Sequence, residues 1–91
     1  MIEKIRIALR ITTTDFDEQL RSYIDAALEE LKKLGVNKPD EEDPLICMCC
    51  ELYCKYLLNY EGKGDWYYAR YRALRDNMST MQSYVGEEKN A

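Results

Sequence analysis

The chain of 91 residues predicts an all-α fold, a small bundle of about four helices with a buried central third helix. Three observations carry this expectation. Apolar residues recur three and four positions apart through most of the sequence, the spacing of one helical face. Only two Pro and four Gly are present, too few to turn an all-β chain of this length. Helix start and stop signals fall at the edges of the periodic segments. One domain over residues 1–91 is expected, because two would each be too small to bury a core.

The first helix is expected over residues 1–9, where Ile2, Ile5 and Leu9 share a face and Ile7 lies off it. Thr12, Thr13 and Thr14 interrupt it, since β-branched hydroxyl residues favour caps and extended backbone. The second helix, residues 15–34, carries the clearest stripe: Phe16, Leu20, Ile24, Ala27, Leu31 and Leu34. Thr14 or Asp15 is its expected cap, and Asp15 with Glu18 approximates a capping box. Lys32 and Lys33 suit the negative end of the helix dipole, and Gly35 supplies the stop.

Residues 37–43 read as an acidic loop, after which Asp43 and Pro44 restart a helix as N-cap and first helical residue. That third helix, residues 44–60, is apolar on nearly every side, which predicts burial nearly all round. Glu51, Lys55 and Asn59 form its one polar stripe; Glu51 and Lys55 read as a helix-stabilising pair four residues apart rather than an acid/base pair. The fourth helix is expected over residues 65–85, capped by Asp65, with Tyr67, Tyr71, Leu74, Met78, Met81 and Val85 as its stripe. Residues 86–91 read as a frayed tail.

The function classes narrow next. The chain has no His, and so lacks the commonest general acid/base and metal ligand; no catalytic residues are assigned. Cys47, Cys49, Cys50 and Cys54 lie within eight residues of one helix. A single rod cannot set four sulfurs tetrahedrally around an ion, so neither metal nor cofactor is expected. Cys47, Cys50 and Cys54 share a face and read as core thiols, with Cys49 pointing elsewhere. No apolar run approaches the ~20 residues of a membrane span, and Met1-Ile2-Glu3-Lys4 does not open a secretory signal. A reducing cytoplasm is therefore expected, with the thiols unpaired.

The net charge of −4 disfavours stable nucleic-acid binding. Arg70, Arg72 and Arg75, interleaved with Tyr67, Tyr68 and Tyr71, read instead as a protein interface. The acidic loop residues Asp40, Glu41 and Glu42 are the complementary candidates on a second subunit. Eight Tyr, one Trp and one Phe exceed the needs of one core, so Tyr23, Tyr53, Tyr56, Tyr60, Tyr67 and Tyr68 are expected near the surface or a partner. Met78, Met81, Tyr84 and Val85 run past the length the other helices can cover. They are candidate docking residues for a partner, the alternative being that they pack on their own bundle.

The ordered series Leu9-Arg10-Ile11, Asp15-Phe16, then Leu20, Ile24, Ala27, Leu31 and Gly35-Val36 resembles the opening of one family. Asp43-Pro44-Leu45-Ile46, Tyr53 with its neighbours and the tyrosine-bearing last helix continue it. The family is that of the head–tail connector (adaptor) proteins of tailed double-stranded DNA phages and prophages. The resemblance implies a non-enzymatic structural protein, made in the cytoplasm of the bacterial host and located at the head–tail junction of the virion. It implies a homo-oligomeric ring, typically of twelve copies, beneath the portal protein, through which DNA passes without stable binding. The ring would present a platform to the next head-completion or tail protein, and Met78, Met81, Tyr84 and Val85 would be its portal-docking candidates. The competing reading is a small helical phage-encoded regulator binding DNA or a protein partner. The long acidic join before an apolar helix speaks against a helix-turn-helix reader.

Overall fold

The computed structural model describes residues 1–37 and 39–85. Lys38 and the tail expected at residues 86–91 lie outside the described residues. Among the described residues the chain is all-helical: α1 (Ile2–Ala8), α2 (Asp17–Lys33), α3 (Pro44–Leu57), a tight turn at Tyr60–Gly62, and α4 (Gly64–Met78). A further helical turn occupies residues 82–85.

Three helix termini follow from local chemistry. Arg10 (φ 59°) closes α1 in the left-handed region, with the Arg10 and Ile11 amides donating to the carbonyls of Ile7 and Arg6. Gly35 (φ 95°) closes α2 in the same way, its amide donating to Lys32 and that of Val36 to Leu31. Glycine adopts this conformation without the Cβ clash that Arg10 must bear. The Asp43 carboxylate accepts from the amides of Leu45 (2.9 Å) and Ile46 (3.2 Å) ahead of Pro44, the cap expected from sequence.

Two expected caps are replaced. No side chain caps α2: Thr13 Oγ1 accepts from the Asp15 amide, while the Asp17 carboxylate accepts from Arg6 Nε at 2.8 Å. The N-cap position falls on Phe16, so the expected caps Thr14 and Asp15 stand two residues and one residue too early to serve. Asp65 is not the cap of α4 either. Asn59 Oδ1 accepts from the Gly64 amide at 2.8 Å, and a Cβ on Gly64 would stand 2.8 Å from that same oxygen. The first residue of α4 must therefore be glycine if the Asn59 bond is to form.

α3 is the central helix. Tyr53 stacks near Tyr71 (4.8 Å) and Tyr56 near Tyr68 (4.6 Å), so α4 runs antiparallel along one side. α2 runs antiparallel along the other, with Leu20 beside Leu58. The core gathers Ile5 and Leu9 from α1 and its cap, Leu20, Ile24, Ala27 and Leu31 from α2, Ile46, Cys49, Cys50 and Cys54 from α3, and Tyr71 and Met78 from α4. Phe16 and Leu34, the two ends of the α2 stripe, are exposed because they overhang the neighbouring helices.

Burial of α3 nearly all round is corrected by the structure: Met48 is 51% and Leu57 38% exposed. Met48 stands with Pro44 on the side that the neighbouring helices leave uncovered, and Leu57, half a turn round the helix from it, is exposed in the last turn. Cys49 is likewise corrected. It is fully buried, and Cys47 is the partly exposed thiol, because the two packed sides of α3 cover Cys49, Cys50 and Cys54 together.

The expected fourth helix over residues 65–85 is broken. α4 ends at Met78, and Ser79 and Thr80 return their hydroxyls to the carbonyls of Asp76 and Asn77 at 2.7 and 2.8 Å. The chain then folds back. The Asn37 amide donates to the Tyr84 carbonyl at 2.9 Å, the Tyr84 hydroxyl donates to the Asp43 carboxylate at 3.0 Å, and Val85 lies 3.9 Å from the Cβ position of Gly35. Met78 and Val85 are buried, and Met81 and Tyr84 pack against the core. The stripe that continues past α4 therefore has an internal partner, which the break makes reachable.

Asp43 thus joins the start of α3 to the end of the described chain. Asp43→Ala is expected to cost about 2 kcal/mol in chemical denaturation, the sum of a lost cap and a lost hydroxyl bond. Tyr84→Phe should cost about 1 kcal/mol by removing the second alone. Equal losses in the two variants would contradict this division.

Candidate interface surface

The charges expected to meet between subunits are divided by the structure. Glu41 is bound within its own chain, its carboxylate accepting from Arg21 Nη1 and Nη2 at 2.9 and 2.7 Å. This bidentate pair raises the Arg21 pKa and, against partial burial, holds Glu41 below its ordinary value. Arg75 is also engaged internally. Its Nη1 donates to Glu30 at 2.7 Å and its Nε to Asp76 at 3.0 Å, leaving the side chain 15% exposed. Asp40, Glu42, Arg70 and Arg72 are the members that remain on the surface.

Glu30 is the residue that sequence reasoning missed. Across the bundle it accepts from the buried Tyr71 hydroxyl and from Arg75, joining α2 to α4 over α3. Burial opposes its ionisation, but the Tyr71 bond, the Arg75 bond and the Arg75 charge outweigh it and hold the carboxyl below its usual range. Tyr71 is pushed up by burial and by that acceptor, so it stays a donor. The available signal was positional: Glu30 lies three residues after Ala27 and one before Leu31, at the edge of the α2 stripe.

The tyrosine surplus is largely absorbed inside the chain. Tyr53, Tyr56, Tyr68 and Tyr71 form one cluster between α3 and α4 with centroids 4.6–6.1 Å apart. Tyr67, expected near the surface, is buried. Its ring and that of Tyr60 hold the Lys55 ammonium at 5.3 and 5.4 Å, while Lys55 also bonds Glu51 at 3.1 Å.

Two apolar features are left outside. On the outer face of α4, Trp66 is half exposed, with the Arg70 guanidinium 3.9 Å from its ring centroid and Ala69 and Ala73 beside it. On the other side of the bundle, Ile11, Phe16, Leu20 and Leu58 with Gln19 line an apolar groove of about 260 Å³. Aromatic and arginine side chains over small residues, and a groove rimmed by exposed Phe and Leu, are interface chemistry. Among the described residues no group of three or more His, Cys, Asp or Glu is placed to hold a metal ion. Nor, among them, is any helix long and apolar enough to cross a membrane.

The family model described as phage connector protein matches residues 1–88, nearly the whole chain. The chain belongs to the phage connector protein family. No curated protein and no solved structure matches it. Membership gives the connector a structural role in the phage particle, where its family associates with the portal and tail proteins.

The residues that carried the resemblance do structural work in the connector. Leu9 is buried and Ile11 half-buried, on either side of the left-handed Arg10. Asp43 and Pro44 start α3, and Tyr53 joins the tyrosine cluster. Asp15 and Phe16 are exposed, Phe16 as a wall of the groove.

The four thiols of the connector are free. Burial pushes Cys49 and Cys54 up to about 12 and raises Cys50 as well, so these three are neutral and closed to reagents at neutral pH. In native protein a thiol reagent should therefore modify one cysteine promptly and three only at the rate of unfolding. Cys47→Ser should abolish the prompt phase. Two or more prompt thiols would contradict the packing of α3.

A second expectation concerns acid. A carboxylate held below its ordinary value stabilises the fold above the unfolded value of 4.5, and that contribution is lost as pH falls through the folded value. Glu30→Gln should lower the melting temperature at neutral pH and flatten its decline as pH falls below the ordinary carboxylate value of 4.5. An unchanged acid limb would contradict the role given to Glu30.

Proposed function

We propose that this connector assembles as a ring beneath the portal and extends the DNA channel from the head towards the tail. The observation that carries the reading is the family match over residues 1–88. The surface supports it. A ring needs a heterologous contact, in which one patch meets a different patch of the neighbour. The Trp66 face and the Phe16 groove are two such different patches on one chain.

The exposed charges Asp40 and Glu42 on the loop and Arg70 and Arg72 on α4 orient neighbouring copies as they approach. Charges on a rim steer more than they bind, so they set register rather than affinity. A net charge of −4 also suits a channel that DNA must slide through without being held.

The test is made on particles. Mass spectrometry of purified virions of the encoding phage or induced prophage should find the chain in several copies per portal ring. Particles lacking its gene should be filled heads without tails. Tailed, infectious particles formed without the protein would overturn the reading.

A further inference from the structure

We propose that the subunit contact of the ring is made by Trp66 of one copy seated in the groove between Phe16 and Leu58 of the next; this deepens the ring reading and rests on it. Both surfaces are apolar, both stand open, and both belong to this chain. α4 carries the knob on its outer face, whereas the groove is walled by residues from the α1–α2 connection, the start of α2 and the end of α3. Held on different packed elements, they cannot meet within one chain, but copies related by rotation can bring them together repeatedly.

Size and charge agree. The groove of about 260 Å³ has room for one aromatic side chain and presents Gln19 as its one polar wall residue, a partner for the indole N–H. Asp15 and Glu18, both exposed, are next in sequence to its wall residues Phe16 and Gln19, and exposed Arg10 is next to Ile11. Arg70, stacked on Trp66, arrives with the knob, and at the hole two carboxylates outnumber the one arginine. The stack holds Arg70 and the indole in one rigid unit, which lowers the entropy lost when the contact forms. Ala69 and Ala73 keep the face around the indole low enough for a neighbour's backbone to approach.

Trp66 is the chain's one tryptophan, so its emission reports the contact directly. Emission and sedimentation of the purified full chain are followed against concentration for wild type, Trp66→Ala and Phe16→Ser. Serine is a favoured residue at the N-cap of α2 where Phe16 stands, so this variant keeps the fold while removing a groove wall. Circular dichroism checks that both variants are folded.

The wild type should associate with a blue shift of emission, and each variant alone should associate about 30-fold more weakly, the effect of losing a central aromatic anchor. A mixture of the two variants retains one intact junction, from Trp66 of the Phe16→Ser chain to the groove of the Trp66→Ala chain, and should give pairs that do not grow further. Either variant assembling like wild type overturns the contact while leaving the ring reading intact. So does a blue shift that appears only when portal protein is added, or a wild type that stays monomeric with unshifted emission at every concentration reached. Loss of tails in particles lacking the gene tests the ring reading separately.

Discussion

The bundle depends on one helix being packed from two sides at once. α3 sends Ile46, Cys49, Cys50 and Cys54 into the core, and α2 and α4 both pack against it. Thiols are small enough to let both neighbours approach and apolar enough to be buried without partners. Larger side chains at these sites would force the helices apart, since packed interiors do not absorb added volume cheaply. α2 and α4 are then tied to each other over α3 by the Glu30 carboxylate, which takes the Tyr71 hydroxyl and the Arg75 guanidinium. That polar clasp is satisfied on both sides, the condition under which a half-buried charge supports a fold rather than weakening it.

Much of this architecture was legible because it is written in local chemistry. The α2 stripe from Leu20 to Leu31, the Asp43–Pro44 start of α3 and the Gly35 stop each act within a few residues of themselves. What was not legible depends on distant partners. Thr14 and Asp15 look like capping residues, but α2 starts later, at Asp17, whose carboxylate takes Arg6 of α1. The run from Met78 to Val85 keeps helical spacing through a break, because two hydroxyls return to the backbone and the next turn packs against Gly35 and Asn37. Cys49 seemed to lie off the buried face because that face is wider than the line through Cys47, Cys50 and Cys54. Glu30 and Arg75 are 45 residues apart, and no spacing rule links them.

The same division governs the surface. An excess of tyrosine suggested a partner, yet most of it fills the seam between α3 and α4, where tilted ring pairs add stability beyond buried area. Two members of the expected charge pairing, Glu41 and Arg75, are used to hold the monomer together. What the fold leaves unused is a smaller set: the Trp66–Arg70 stack, the Phe16 groove, and the exposed charges around them. A connector built this way is a self-sufficient bundle whose capacity for assembly lies in side chains the core does not need.

That account is tested most directly by electron microscopy of the neck of the particle at a resolution that places side chains. It predicts a closed ring of intact bundles coaxial with the portal, each with the Glu30–Tyr71–Arg75 clasp closed and Trp66 at the boundary between neighbouring copies. A ring in which α4 or residues 78–85 have left their own bundle to pack on a neighbour, or in which Trp66 faces solvent, would contradict it.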